Sequence, residues 1–153
     1  MNIDLTSSAF HQDGTIPKQH TADGKDTSPP LRWGETPKET RSLALICDDP
    51  DAPGRVWVHW VLFNLPPEVR ELHEGVPAHQ SLANEARQGK NDFGKIGYGG
   101  PAPPPGKPHR YFFKLYALDT VLELPAGSTK SQLVDAMKGH VLAEGHLMGR
   151  YGR

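Results

Sequence analysis

Cysteine is nearly missing from this chain. Cys47 stands alone among 153 residues, so no internal disulfide can form, and a small cross-linked scaffold is excluded. A surplus of one charge sign is missing as well. Seventeen basic side chains against 18 acidic ones leave a formal net charge of −1, which provides no global field of the kind that draws a protein onto nucleic acid. Nucleic acid is not an expected partner. Long apolar runs are also absent: the longest, Val56 to Leu65, is interrupted by His59 and Asn64 and falls well short of the ~20 residues that span a bilayer. The opening residues, Met1 to Phe10, lack the basic stretch and apolar run of a secretory signal. Together with the lone cysteine, this makes a cytoplasmic chain without a transmembrane segment the expectation. No internal repeat and no linker-like tract divides the sequence, so one domain over 1–153 is expected. The most visible catalytic signatures are missing too: there is no Gly-x-Ser-x-Gly elbow, no Gly-Lys-Ser/Thr phosphate loop and no His-Glu-x-x-His metal pattern.

What is there is glycine, proline and three strong strands. Sixteen glycines and 15 prolines make about a fifth of the chain, against an average of roughly 12%, which reads as a loop-rich globular fold. Leu43–Cys47 is a short continuous apolar run that suits a strand buried on both faces. Val56–Leu65 is the clearest strand, and strict alternation puts Val56, Val58, Trp60 and Leu62 on one face and Trp57, His59, Val61, Phe63 and Leu65 on the other. Tyr111–Leu118 is the third, rich in aromatic residues and opened by His109 and Arg110. Weaker strand candidates lie near Ile3–Phe10, Leu31–Trp33 and Val121–Leu124. Towards the end, Thr129 with Gln132 forms a capping-box pattern, and Leu133, Met137, Val141 and Leu142 then recur at helical spacing. The strands are separated by loops rather than helical crossovers. A mainly β, antiparallel domain with peripheral helices and a C-terminal helix follows.

Three features carry candidate chemistry. His59 lies mid-strand among apolar neighbours, where an unpaired imidazole would be costly; it is either a satisfied core histidine or a site residue. The loop Asp48-Asp49-Pro50-Asp51-Ala52-Pro53 crowds three carboxylates between prolines that fix the backbone. It is either a rigid solvated turn, or a turn that sends one acid inward to orient a histidine and favour its charged form. Gly97 to Pro108 is a stiff glycine-proline tract leading into His109, Arg110 and Tyr111. It could bring backbone amides against a ligand, or lie on the surface as a polyproline segment. His109 and Tyr111, two apart on one strand, share a face, and Arg110 takes the other.

DPDAP at Asp49–Pro53, the strand histidine in VWVHWVLFNLP, NDFGKIGYGGPAPPPG at Asn91–Gly106 and PHRYFF at Pro108–Phe113 occur together in this order. With SPPLRW at Ser28–Trp33 and the closing LVDAMKGHVLAEG, they make the chain similar to the phosphatidylethanolamine-binding proteins, specifically the bacterial and archaeal Raf-kinase-inhibitor-like branch. The resemblance implies two antiparallel sheets in Greek-key arrangement with short peripheral helices. It also implies a ligand site of Asp49, Asp51, His59, Gly100, Pro101, His109 and Tyr111, accepting phosphate-like or carboxylate anions, a phospholipid headgroup among them. A departure is Ala102, where many bacterial relatives carry cysteine. Protonated His59 or His109, the Tyr111 hydroxyl and amides near Gly100 would donate to such an anion. The aspartates would orient the histidines or meet a ligand ammonium. Neither metal nor cofactor is called for. Rival functions are a protease or kinase inhibitor acting through surface loops, and an acid–base ester hydrolase in the same pocket. Relatives of this branch often pair as homodimers, and Leu147 and Met148 offer apolar surface for that.

Overall fold

A computed structural model describes residues 2–153. The three apolar runs form the middle of a six-stranded sheet. The strands are β1 Leu5–Thr6, β2 Gly14–Thr15, β3 Leu31–Trp33, β4 Ser42–Asp49, β5 Trp57–Leu65, β6 Glu71–Leu72, β7 Arg87–Gln88, β8 His109–Leu118 and β9 Val141–Tyr151, with helix α1 at Lys130–Met137. The large sheet runs β2-β9-β8-β4-β5-β7, and a small one runs β1-β3-β6. The pairings are antiparallel, save that β2 runs parallel to β9. Two sheets in a mainly β fold were expected, and the parallel edge is an addition.

All of β4 is buried because β5 and β8 flank it and both of its faces are covered. Leu43, Leu45 and Cys47 point into an inter-sheet core with Leu5, Leu31, Trp33, Trp60, Leu62, Tyr111 and Phe113. Ala44 and Ile46 point the other way, into a second core with Val58, Val61 and Phe63 that α1 closes with Leu133 and Met137. The molecule is thus layered as small sheet, large sheet and helix. The same alternation sends the two aspartates at the end of β4 to opposite faces. Asp48 meets Lys130 of α1 at 2.7 Å and Lys114 of β8 at 3.2 Å, whereas Asp49 meets His109 on the inter-sheet side.

The alternation expected for β5 fails at two points, one near Leu65, which joins Leu62 in the inter-sheet core, and one at the cavity end. Cys47 pairs with Trp60 and Asp48 with Val58, so His59 is an extra residue, a β-bulge. Strict alternation would put His59 with Val61 and Phe63 on the helix side. The bulge instead turns His59 and Trp60 both towards the inter-sheet side, the re-aiming for which bulges are used beside functional sites.

The end of the chain also differs from expectation. The capping box is present, with Thr129 Oγ1 accepting from the Gln132 amide and Gln132 Oε1 accepting from the Thr129 amide. However, α1 ends at Met137, because Gly139 takes φ +80°, a left-handed turn after which a helix stops. Val141 and Leu142 belong to β9, which buries Ala143, Gly145, Leu147 and Gly149 in alternation. Leu147 lies in the inter-sheet core and is spent there rather than on a dimer surface. Leu31–Trp33 is a strand as expected, and Ile3–Phe10 contributes Leu5–Thr6. Val121–Leu124 is not a strand: Asn64 clamps it, exchanging two hydrogen bonds with the backbone of Leu122.

Candidate functional site

The C-terminal end of β4, the start of β5 and the start of β8 border a cavity of about 320 Å³. Asp49, His59, His109 and Tyr111 supply its polar surface, and Trp57, Phe93 and Pro103 stand among the apolar residues around them. Asp49 is held from both sides: its Oδ1 accepts the Asp51 amide at 2.8 Å, and its Oδ2 accepts from Nδ1 of His109 at 2.7 Å. A carboxylate can only accept, so Nδ1 of His109 carries a proton and Nε2 is left to the cavity. The loop prolines and the Asp51 amide thus fix the acid that fixes the imidazole.

His59 is held differently. Its Nδ1 lies 2.6 Å from the carbonyl oxygen of Gly99, and its own carbonyl accepts the Gly99 amide at 2.9 Å. These two bonds clip the glycine loop to the bulge. A carbonyl cannot donate, so Nδ1 is the protonated nitrogen. Burial pushes the pKa of His59 below its ordinary value, outweighing the Gly99 carbonyl and the carboxylates of Asp49, Asp48 and Asp26, which pull the other way. At neutral pH and above the ring is therefore uncharged, and Nε2 offers a lone pair. The edges of Phe93 and Tyr111 wedge it, with centroids at 5.4 and 5.2 Å. Tyr111 is also buried, and desolvation raises its pKa far above that of an ordinary tyrosine, so its hydroxyl keeps its proton. Among the described residues, His59 Nε2, His109 Nε2 and Tyr111 Oη have no hydrogen-bond partner in the protein, yet none is sealed from solvent. All three open onto the cavity.

A phosphatidylethanolamine-binding protein family model matches residues 6–152. A UPF0098 protein of Methanothermobacter thermautotrophicus is 54% identical over 151 residues, covering 99% of both chains. The chain belongs to the phosphatidylethanolamine-binding protein family. Solved structures agree. A homologue of this family from Chlamydia trachomatis superposes with a TM-score of 0.90 at 43% identity, covering 99% of this chain and 98% of its own. YbcL of E. coli, described as a member of the mammalian family, superposes with 0.91 at 31% identity, covering 100% and 99%.

Of the seven residues that the family resemblance nominated, the structure brings four to the cavity and leaves three outside its lining. Asp51 is engaged by Arg110, whose Nε and Nη2 donate to its two oxygens at 3.0 and 2.9 Å while the Arg110 amide adds a third bond. That guanidinium holds the carboxyl down at about 2. Gly100 turns its amide to Asp26 at 2.8 Å, not to the cavity. A Cβ there would come within 2.6 Å of the His20 carbonyl, so close backbone packing explains the glycine. Pro101 is buried, and its carbonyl accepts the Ala22 amide. Of the two histidines expected as alternative donors, His59 spends its Nδ1 proton on Gly99 and His109 spends its own on Asp49. Sequence reasoning missed Gly99, whose two bonds set the His59 ring, and Trp57 and Phe93, which wall the cavity. Phe93 could have been found in the NDFGKIGYGGPAPPPG motif; nothing in the sequence singles out Gly99 from Gly97 and Gly100. A second depression of about 510 Å³, lined by Lys107, Arg110 and Arg150 around Asp51, adjoins the cavity and shares Pro104 and His109 with it. No helix among the described residues is long and apolar enough to cross a membrane.

Proposed function

We propose that the cavity binds a small phosphate-type anion, such as inorganic phosphate or the phosphoryl group of a headgroup or other phosphomonoester. One observation carries this reading: His109 Nε2 and Tyr111 Oη, both on buried side chains, have no protein partner among the described residues and open onto the same cavity. Both atoms are open to solvent in the free protein, and an anion entering the cavity exchanges their contact with water for hydrogen bonds to its oxygens. Donation from His109 Nε2 requires the imidazolium, because Nδ1 keeps its proton on Asp49. The anion therefore joins a cation already backed by a carboxylate, and charge assistance roughly doubles such a bond. At about 320 Å³ the cavity lies at the small end of the ~300–1,000 Å³ of ligand pockets, a fit for a headgroup rather than acyl chains.

Binding rather than turnover is supported by the lining. Among the described residues, the hydroxyl nearest to a nucleophile there is that of Tyr111, which burial keeps protonated, while the Cys47 thiol is buried in the core with its pKa pushed up by burial. Calorimetry with phosphate and phosphoethanolamine on wild type and His109→Ala tests the reading. We expect weak binding that falls about tenfold or more in the variant, the equivalent of one charge-assisted bond. Equal affinity in the two proteins would remove His109 from the site.

A further inference from the structure

The structure assigns to the cavity a preference for anions that still carry a proton: hydrogen phosphate and singly protonated phosphomonoesters over sulfate and over the fully ionised ester. This inference rests on the anion-binding reading above and specifies which form of the anion is taken. Its basis is the fixed tautomer of His59. Nδ1 donates to the Gly99 carbonyl at 2.6 Å, so Nε2 presents a lone pair to the same cavity into which Tyr111 opens. The ring cannot turn over without breaking that bond and displacing Phe93 and Tyr111, which lie edge-on to it. The centroids of the His59 and Tyr111 rings are 5.2 Å apart, so one tetrahedral anion can touch both.

The site is therefore not a uniform set of donors. Tyr111, and His109 in its imidazolium form, ask for oxygen lone pairs, while His59 asks for a hydrogen. A P–OH group satisfies it. A sulfate or ester dianion sets one lone pair against another and leaves a buried acceptor unmet. Sites with a buried hydrogen-bonding group reject ligands that leave it unpaired far more strongly than apolar pockets reject an extra methylene. Burial opposes protonation of His59 itself, pushing its pKa down against the pull of the Gly99 carbonyl and the Asp49, Asp48 and Asp26 carboxylates.

Wild-type protein would be titrated with phosphate, methyl phosphate and sulfate at about pH 5.5 and about pH 8, on either side of the monoester's second pKa near 6. Inorganic phosphate retains a P–OH at both values. Comparing ligands at one pH cancels the protein's own titration. We expect sulfate to bind about tenfold or more weakly than phosphate at both values, the cost of one unmet acceptor. Methyl phosphate should match phosphate at the lower pH and fall about tenfold behind it at the higher. In nitrogen-15 spectra of the free protein, the His59 ring should show a protonated Nδ1 and a bare Nε2. Sulfate binding as tightly as phosphate, methyl phosphate tracking phosphate at both pH values, or a protonated Nε2 would each overturn this preference and leave the anion site standing. Failure of all three anions to bind would remove the site and the preference together.

Discussion

Asp48 and Asp49 have the same side chain and adjacent positions, yet they do unrelated work. The first anchors two lysines on the helix side of the sheet, and the second positions His109 on the other side. An acid turned inward was one of the two readings the loop offered, and the alternation of Leu43, Leu45 and Cys47 contains the information that it is Asp49. His59 was harder to read. Its conflict with an apolar strand was visible, but the neutral form and its tautomer were not, because tertiary burial sets the first and the Gly99 carbonyl some forty residues away sets the second. A stability prediction follows from it. The folded pKa of His59 lies below the ordinary imidazole value of 6.5, so well above that value folded and unfolded states bind no proton there and the residue adds no pH dependence. As pH falls below it, the unfolded chain takes up the proton first and the folded state loses stability until its own lowered pKa is reached. Urea midpoints measured between about pH 7.5 and 5 should fall in wild type and fall less in His59→Gln, which keeps a donor for Gly99 but cannot titrate. Parallel curves for the two proteins would contradict a neutral buried His59.

At the scale of elements, β4 and most of β5 were legible because runs of apolar residues suffice to mark strands buried on both faces, and most of β8 because of its aromatic content. β9 was not. Two of its inward positions are Gly145 and Gly149, so the period-two signal that marks a half-buried strand carries little hydrophobicity there. The glycines are required by what lies above them: a Cβ on Gly145 would strike the Ile3 carbonyl, and one on Gly149 would sit 2.6 Å from Cγ1 of Ile16 and 2.7 Å from Cε2 of Phe10. The helical spacing of Val141 with Leu133 and Met137 then drew the helix too far, past the left-handed Gly139. Gly149→Ala should lower stability by about 1–3 kcal/mol, the usual cost of overpacking. Gly34→Ala should be near neutral, because its added Cβ meets nothing closer than 3.9 Å. Denaturant unfolding of the two variants checks this, and equal midpoints would refute the packing account. Gly149 pairs directly with Tyr111, so the same crowding lies next to a residue of the cavity wall.

For the whole molecule, the two cores are unequal. The inter-sheet core draws on both sheets and reaches the cavity, while the outer core is closed by a single eight-residue helix. Leu133, Met137 and the Lys130–Asp48 bridge hold that helix down, and helices of this length have little stability of their own. In native-state hydrogen exchange, amides of α1 should therefore open at lower free energy than those of β4, which should exchange only by global unfolding. Lys130→Ala should speed exchange in α1 and leave β4 unchanged. A uniform rise in both would show that the layers open as one unit.

The uneven placement of the three tryptophans has a spectroscopic consequence. Trp33 and Trp60 are sealed in the inter-sheet core, at 3% and 0% exposure. Trp57 is part of the cavity wall, edge-on to Phe93 at 5.6 Å and covered by the Arg55 guanidinium at 5.4 Å. Two indoles form a constant background of emission, and the third lies where an anion bound as proposed would change the local field and displace water. Its emission would then report occupancy without a label, with Trp57→Phe as the blank.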